Sequence, residues 1–421
     1  MSQILIKENE QVGFNSFDAT ENIVLVPLVT EDTSEVTHVT KLYSTLSEFN
    51  FDYPAIPNIS TKNDYSWYFI KEILNAGLKV VVKPLKPAES SESVESSEFD
   101  IGVFVNKRIR DDNAFKEFGS KNLWNIKFIT TGYWPNIDDN IESSETSEVD
   151  GIGCYSVLAR LASDRGDCVA LGEFRQELEV DDLVNFVKRT PDINTKYMAT
   201  TYPAYFSSLP ASGADDMYMP ASFGYLMAFA RSVRTNATWF AASGIIRGVI
   251  PNLISVKHDV TDSVMELLQD GTGMTSTDGA ASSWKVNVIM RMGAYGIRLW
   301  GNRVTASGSN KSVEKLTFSD FLNVRMLLCD LKKQIYHAAL RTTFEPNDDL
   351  TWVNFKSLCS RLLDQMQSGR GISWYSWRRV KTEYKATIKA VLTIKPIEAV
   401  EYFDITINLS DEEVAIEEEI I

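Results

Sequence analysis

Apolar and polar positions change their spacing several times along this chain, and each change marks an expected element. A short apolar alternation opens it at Ile4, Leu5 and Ile6 before Lys7. The uninterrupted apolar run at 23–29 predicts a buried strand, and helical spacing over 64–75 predicts a helix. Gly77 stops that helix, and the β-branched run at 78–82 returns as a strand. Strand-like runs at 101–105, 126–130, 168–171 and 197–201 then alternate with helical patterns near 154–163 and 181–188. This rhythm predicts a largely parallel sheet covered by helices.

The last third reads differently. Apolar residues occupy most of the circumference over 319–341 (Phe321, Leu322, Val324, Leu327, Leu328, Leu331, Ile335, Ala338), which predicts a central core helix. A second helix is expected to start with Asp349 as its cap. Trp352, Phe355, Leu358, Cys359, Leu362, Leu363 and Met366 share one side of it. Asn354, Ser357, Ser360, Arg361 and Asp364 share the other, with Lys356 at the border, and Gly369 and Gly371 end it. Beyond, Ala386, Ile388, Ala390, Leu392 and Ile394 alternate with Thr387, Lys389, Thr393 and Lys395 until Pro396. Phe403, Ile405, Ile407 and Leu409 begin a second alternation, so two strands are expected. An acidic tail containing Val414 and Ile416 closes the sequence.

The fold class expected is therefore α/β (mixed α+β). Length exceeds what one core usually organises, which leads to an expected partition. It runs as an arm at 1–20, an α+β unit at 21–100, a middle α/β unit at 101–285, a C-terminal unit at 286–408 and an acidic arm at 409–421. Ser/Glu-rich patches at 88–98 and 141–150 read as solvated loops.

Charge narrows the function classes. The chain carries 42 Lys+Arg against 57 Asp+Glu, a formal −15, which argues against general nucleic-acid binding. Residues 286–408 hold 18 basic against 11 acidic groups, residues 1–285 hold 24 against 40, and residues 409–421 hold 0 against 6. A mildly basic region within an acidic protein suits an acidic protein partner or contact between subunits. No apolar run approaches the roughly 20 residues needed to span a bilayer, so no membrane insertion is expected. The N-terminus lacks the pattern of a secretory signal.

Candidate chemistry is sparse. Cys154, Cys168, Cys329 and Cys359 form no C-x-x-C pair and are expected to be buried thiols, and His38, His258 and His337 stand beside no nucleophile. No G-x-G-x-x-G follows a strand, no Gly-Lys-Ser/Thr occurs, and no G-x-S-x-G elbow is present. No catalytic, cofactor or metal residues are assigned.

Five motifs in order over about 200 residues resemble the contractile tail sheath family of bacteriophages, R-type pyocins and related injection machines. They are Tyr202-Pro203 with Met219-Pro220-Ala221-Ser222; Ala228-Phe229-Ala230-Arg231 followed by Trp239 and its turn to Gly244; Gly296 through Trp300-Gly301-Asn302-Arg303; Phe321 with Val324-Arg325; and Phe344-Glu345-Pro346-Asn347-Asp348. The family's usual Pro-Gly-Val-Tyr start is absent. Read locally, Trp300 to Arg303 supply an apolar anchor and a tight exit from a strand, and Phe344 to Asp348 make an interhelical turn.

The resemblance implies a non-enzymatic structural subunit that forms stacked hexameric rings in a helical array around a tail tube. Contraction of the array would drive the tube through the host envelope for genome delivery. It implies as partners further copies of the chain, the tail tube protein, and baseplate and tail terminator proteins. The location implied is a virion tail sheath, assembled in the host bacterial cytoplasm. It places a tube-attachment face at Lys356, Ser357 and Arg361. Inter-subunit arm strands are expected at Ile4, Ile6, Phe403, Ile405, Ile407, Val414 and Ile416, where alternation meets polar, extended sequence. The rival expectations are an α/β enzyme of hydrolase type, or another structural tail component such as a tube or baseplate protein.

Overall fold

The computed structural model describes residues 21–29, 39–54, 64–86, 101–132, 153–174, 178–183, 195–207, 218–270, 285–305, 317–381, 387–397 and 399. The strands expected at Ile4 and Ile6 and at Phe403, Ile405 and Ile407, with Val414 and Ile416, lie outside these residues.

In chain order the first half holds β1 (Ile23–Val29), β2 (Lys41–Tyr43), α1 (Leu46–Asp52), α2 (Asp64–Asn75), β3 (Lys79–Leu85), α3 (Ile101–Arg110), β4 (Phe128–Ile129), α4 (Gly153–Arg165), β5 (Val169–Glu173) and β6 (Met198–Tyr202). There follow β7 (Tyr205–Ser207), β8 (Tyr218–Met219), α5 (Ala221–Val233), α6 (Gly244–Arg247), β9 (Leu253–Val256), α7 (Asp262–Asp270), β10 (Val286–Arg291) and β11 (Ile297–Trp300). The chain then runs through α8 (Leu322–Thr342), α9 (Asp349–Ser368), β12 (Ile372–Val380) and β13 (Lys389–Pro396).

Eight strands form one sheet in the order β11-β10-β6-β5-β4-β1-β3-β2. The six strands from β10 to β3 run parallel to their neighbours, and β11 and β2 join antiparallel at the two edges. β1 shows why its sequence reads as a continuous apolar run: both faces of a parallel sheet are covered. Val24 and Val26 enter a core with Trp67 and Phe69 of α2 and Phe223 and Phe229 of α5. Ile23 and Leu25 enter the opposite core with Phe104 of α3 and Leu158 of α4. The sheet takes strands from 21–100, 101–285 and 286–408 alike, so these segments share one structural layer.

Residues 101–105, expected as a strand, instead open the helix α3. Phe104, Val105 and Ile109 are buried, while Lys107, Arg108 and Arg110 gather in the last turn, where positive charge complements the helix dipole. A short apolar run does not by itself distinguish a strand from the buried face of a helix. Of the helix expected near 181–188, residues 180–183 are helical, and 184–188 lie outside the described residues.

Two boundaries in the last third also move. A 3-10 turn over Phe318–Asp320, closed by a reciprocal Thr317–Asp320 capping box, precedes α8, which starts at Leu322. The cap of α9 is Asp348 and not Asp349: the Asp348 carboxylate accepts the Thr351 backbone N–H at 2.8 Å. Asp349 is the first helical residue and pairs with Arg379 at 2.7 Å. One strand was unforeseen. β12 follows Gly371 directly and pairs antiparallel with β13, from Ile372 opposite Pro396 to Val380 opposite Lys389.

α8 is buried on two sides, which makes it the central helix its sequence predicts. Leu322, Met326 and Cys329 join the sheet-side core, whereas Leu327 and Leu331 join Leu362, Leu363 and Met366 of α9, Ile372 of β12 and Trp239.

Candidate functional site

Several polar groups are buried inside the sheet layers. Glu173, at the end of β5, is fully buried, and burial pushes its carboxyl up to about 7. It accepts hydrogen bonds from Thr131 at 2.9 Å and from the hydroxyl of Ser222 in the first turn of α5. A carboxyl so enclosed ties three elements together and offers no approach to a substrate. His258 stacks on Tyr202, and burial followed by the nearby Arg341 charge lowers His337. All four cysteines are buried free thiols. Burial raises Cys154, Cys168 and Cys329 to about 12 and Cys359 to about 11, far from a reactive thiolate. Among the described residues no group of three or more His, Cys, Asp or Glu could hold a metal ion, and no helix is long and apolar enough to cross a membrane.

The motif residues meet instead in a structural hub. Trp300 ends β11, and Gly301 leaves the sheet at φ +123, where a Cβ would lie 2.8 Å from the Asn287 side-chain oxygen. Asn287 of β10 accepts from the Arg303 N–H at 2.8 Å and donates to the Arg303 carbonyl at 2.9 Å. Arg303 is completely buried, with its guanidinium 4.8 Å from the centre of the Phe321 ring. Asn302 donates to the Asn323 side chain at 2.7 Å and accepts the Asn323 backbone N–H at 3.0 Å, supplying α8 with the cap its own Phe321 lacks. Asn323 donates onward to the Trp239 carbonyl at 3.1 Å. Gly244 opens α6 at φ +86.

Beneath this hub lies a buried ion pair. Lys127, just before β4, contacts Asp330 of α8 at 2.8 Å with both side chains buried, and Thr238 donates to Asp330 at 2.8 Å. α8 is thereby locked to the sheet by charge as well as by packing.

The surfaces facing outward come from α9, its preceding turn and the hairpin. Lys356, Ser357 and Arg361 are all exposed on α9, on the side away from Leu362, Leu363 and Met366. Leu350 and Val353 fall on the same outward stripe at helical spacing and are 67% and 57% exposed. Glu345, Pro346 and Asn347 are exposed in the turn, and Phe344 stands fully in solvent at φ +72.

The β12–β13 hairpin rests on α9 through Trp377, whose ring meets Trp352 and Phe355 edge-on at 6.1 and 5.9 Å. Tyr375 donates to Asp364 at 2.6 Å. Both outer edges of this two-stranded sheet carry no further strand among the described residues. β12 was absent from the sequence reading, yet its signal was available: Trp374, Tyr375 and Trp377 between Ile372 and Val380 form an aromatic and β-branched run straight after a glycine.

No protein-family model matches this sequence, and no curated protein matches it. Solved structures do. A chain of the sheath complex of an extracellular contractile injection system, PVC, in its contracted state aligns at TM-score 0.62 and 14% identity, covering 98% of both chains. A chain of the anti-feeding prophage helical sheath in its contracted state aligns at 0.61 and 14%, covering 97% of this chain and 99% of that one. A chain of the six-fold symmetrised anti-feeding prophage baseplate gives the same values. The chain has the fold of these contractile-particle subunits over nearly its whole length.

Proposed function

We propose that this chain is a structural, non-enzymatic subunit of a contractile sheath. It polymerises as stacked hexameric rings in a helical array around a tube, and contraction of that array drives the tube through a target envelope, in a phage tail delivering a genome. The observation that carries the reading is the hairpin whose two outer edges carry no further strand among the described residues, set on a fold shared with contracted sheaths.

A two-stranded ribbon is marginal by itself, and unpaired strand edges invite a further strand. In this reading the segments containing Ile4 and Ile6, and Phe403, Ile405 and Ile407 with Val414 and Ile416, are the strands that neighbouring subunits add to β12 and β13. Each main-chain hydrogen bond contributes only about 0.5–1.5 kcal/mol net. Repetition through a lattice makes such links persistent while the cores slide past one another.

Lys356, Ser357 and Arg361 on the outer side of α9 form the tube contact in this account. Exposed charge pairs contribute roughly 0–1 kcal/mol each, which suits a contact that contraction must release. Tail tube, baseplate and terminator proteins are the remaining partners, and assembly takes place in the bacterial cytoplasm. Electron microscopy of the purified chain tests the reading. Long hollow cylinders are expected, and a small soluble oligomer under every assembly condition contradicts it.

A further inference from the structure

One groove is not absorbed by the sheath reading. It has a volume of about 680 Å³ and runs between α6, α7 and the end of β11, with Ile245, Ile246, Met265, Trp300, Gly301 and Ala399 among its walls. Its apolar character is concentrated on α6, where Ile246 is 82% and Ile245 37% exposed. Gly244 makes this presentation possible. Its φ of +86 disfavours any residue with a side chain, although nothing lies within 4 Å of where a Cβ would sit, so the glycine serves the backbone turn and not the space around it. Arg247 is held at the same groove by donating to the Ala241 carbonyl at 2.7 Å.

The occupant follows from Ala399. This residue forms part of the wall, and 22 residues of the chain (400–421) continue from it with no intervening linker. The first of them, Val400-Glu401-Tyr402-Phe403-Asp404-Ile405-Thr406-Ile407-Asn408-Leu409, repeat an apolar side chain at alternate positions from Phe403 to Leu409. That pattern can set one apolar face against Ile245 and Ile246, and Glu401 and Asp404 can meet Arg247. A segment tethered at the lip of its own groove acts at an effective concentration in roughly the millimolar range. A second copy's tail competes against that figure from dilute solution.

We propose that in the unassembled subunit residues 400–409 occupy this groove of their own chain. The inference rests on the sheath reading for its consequence: the segment meant for a neighbour's hairpin is held back until assembly, which limits spontaneous polymerisation. One segment thus has two destinations, and leaving the groove is a step in joining the lattice.

The test uses the full-length chain at a dilution where it is unassembled. Ile246→Cys is combined in turn with Phe403→Cys, Ile405→Cys and Ile407→Cys and treated with a short bismaleimide; the native thiols are all buried. At least one pair should give an intramolecular cross-link whose yield is unchanged by dilution. Absence of that product from all three pairs, or its appearance only between chains, overturns the proposal. Independently, Ile246→Asp should raise cleavage after Glu401 by a glutamate-specific protease about tenfold, equivalent to about 1.4 kcal/mol, with unchanged circular dichroism. Equal cleavage of variant and parent also overturns it. Both readouts are made on free subunits, so they stand apart from the sheath reading: a tail that docks in a chain that never forms cylinders sinks that reading and leaves this one intact.

Discussion

The indole N–H of Trp239 donates to the carbonyl of Gly369 at 2.9 Å, joining the turn after α5 to the end of α9 across 130 residues of sequence. Gly371 shares the contact, because a Cβ there would lie 2.9 Å from both Trp239 and Leu327. The start of the hairpin is therefore set by how closely the backbone can approach one ring. Gly371→Ala should destabilise the chain by about 1–3 kcal/mol through overpacking, and Trp239→Ala by about 3–5 kcal/mol through the cavity it leaves. Urea unfolding of both variants checks this, and parental stability in either refutes the role given to the ring.

Asp330 carries a second expectation. With Lys127 and Thr238 both directed at it inside the protein, Asp330→Ala strands a buried ammonium and should cost about 3–5 kcal/mol. A Lys127→Met, Asp330→Leu double variant removes both charges and should lie closer to the parent than the single variant. A double variant no more stable than Asp330→Ala refutes this reading.

Glu173 gives a pH dependence with a defined sign. The folded protein holds the carboxyl proton up to about 7, against an ordinary value of 4.5, because burial disfavours the charged form. The group's contribution is complete below the ordinary value and is lost as pH rises through about 7. Glu173→Gln keeps the shape without the charge. Between pH 5 and pH 8 the variant should therefore gain on the parent by up to about 3 kcal/mol in chemical unfolding, at roughly 1.4 kcal/mol per pH unit. A difference that stays flat with pH contradicts the assignment.

Phe344 is an aromatic side chain in full solvent exposure on a left-handed backbone. Among the described residues nothing covers the ring to offset the strain, so Phe344→Gly should raise the stability of the isolated chain by about 1 kcal/mol. Calorimetry of the monomer checks it, and a lowered melting temperature refutes it.

Much of this arrangement was legible in the sequence, and the reasons for the gaps are physical. The helix at 64–75 and strand at 23–29 were readable because their apolar spacing is long and uniform, and the inward row of α9 because Trp352 through Met366 keep strict helical spacing. Residues 101–105 misled because five apolar-rich positions fit either period, and the polar side of α3 appears only from Asn106 onward. β12 was missed because its faces are both partly covered: Trp377 turns toward α9 while Trp374 stands half in solvent, so no clean alternation results. The Trp239 to Gly369 and Asn302 to Asn323 bonds were invisible because they join distant positions by geometry that composition does not encode. Sequence reading placed Trp300 to Arg303 at a tight turn. It did not show that Asn302 caps α8.

The outer edges of β12 and β13 bear the central claim most directly. Amide hydrogen exchange should be followed at residues 372–380 and 389–396 in free subunits and in assembled cylinders. The account predicts that the outward-facing amides of both strands slow by about two orders of magnitude or more on assembly, as newly bonded main-chain groups do. Identical exchange at these amides in free and assembled material would contradict it.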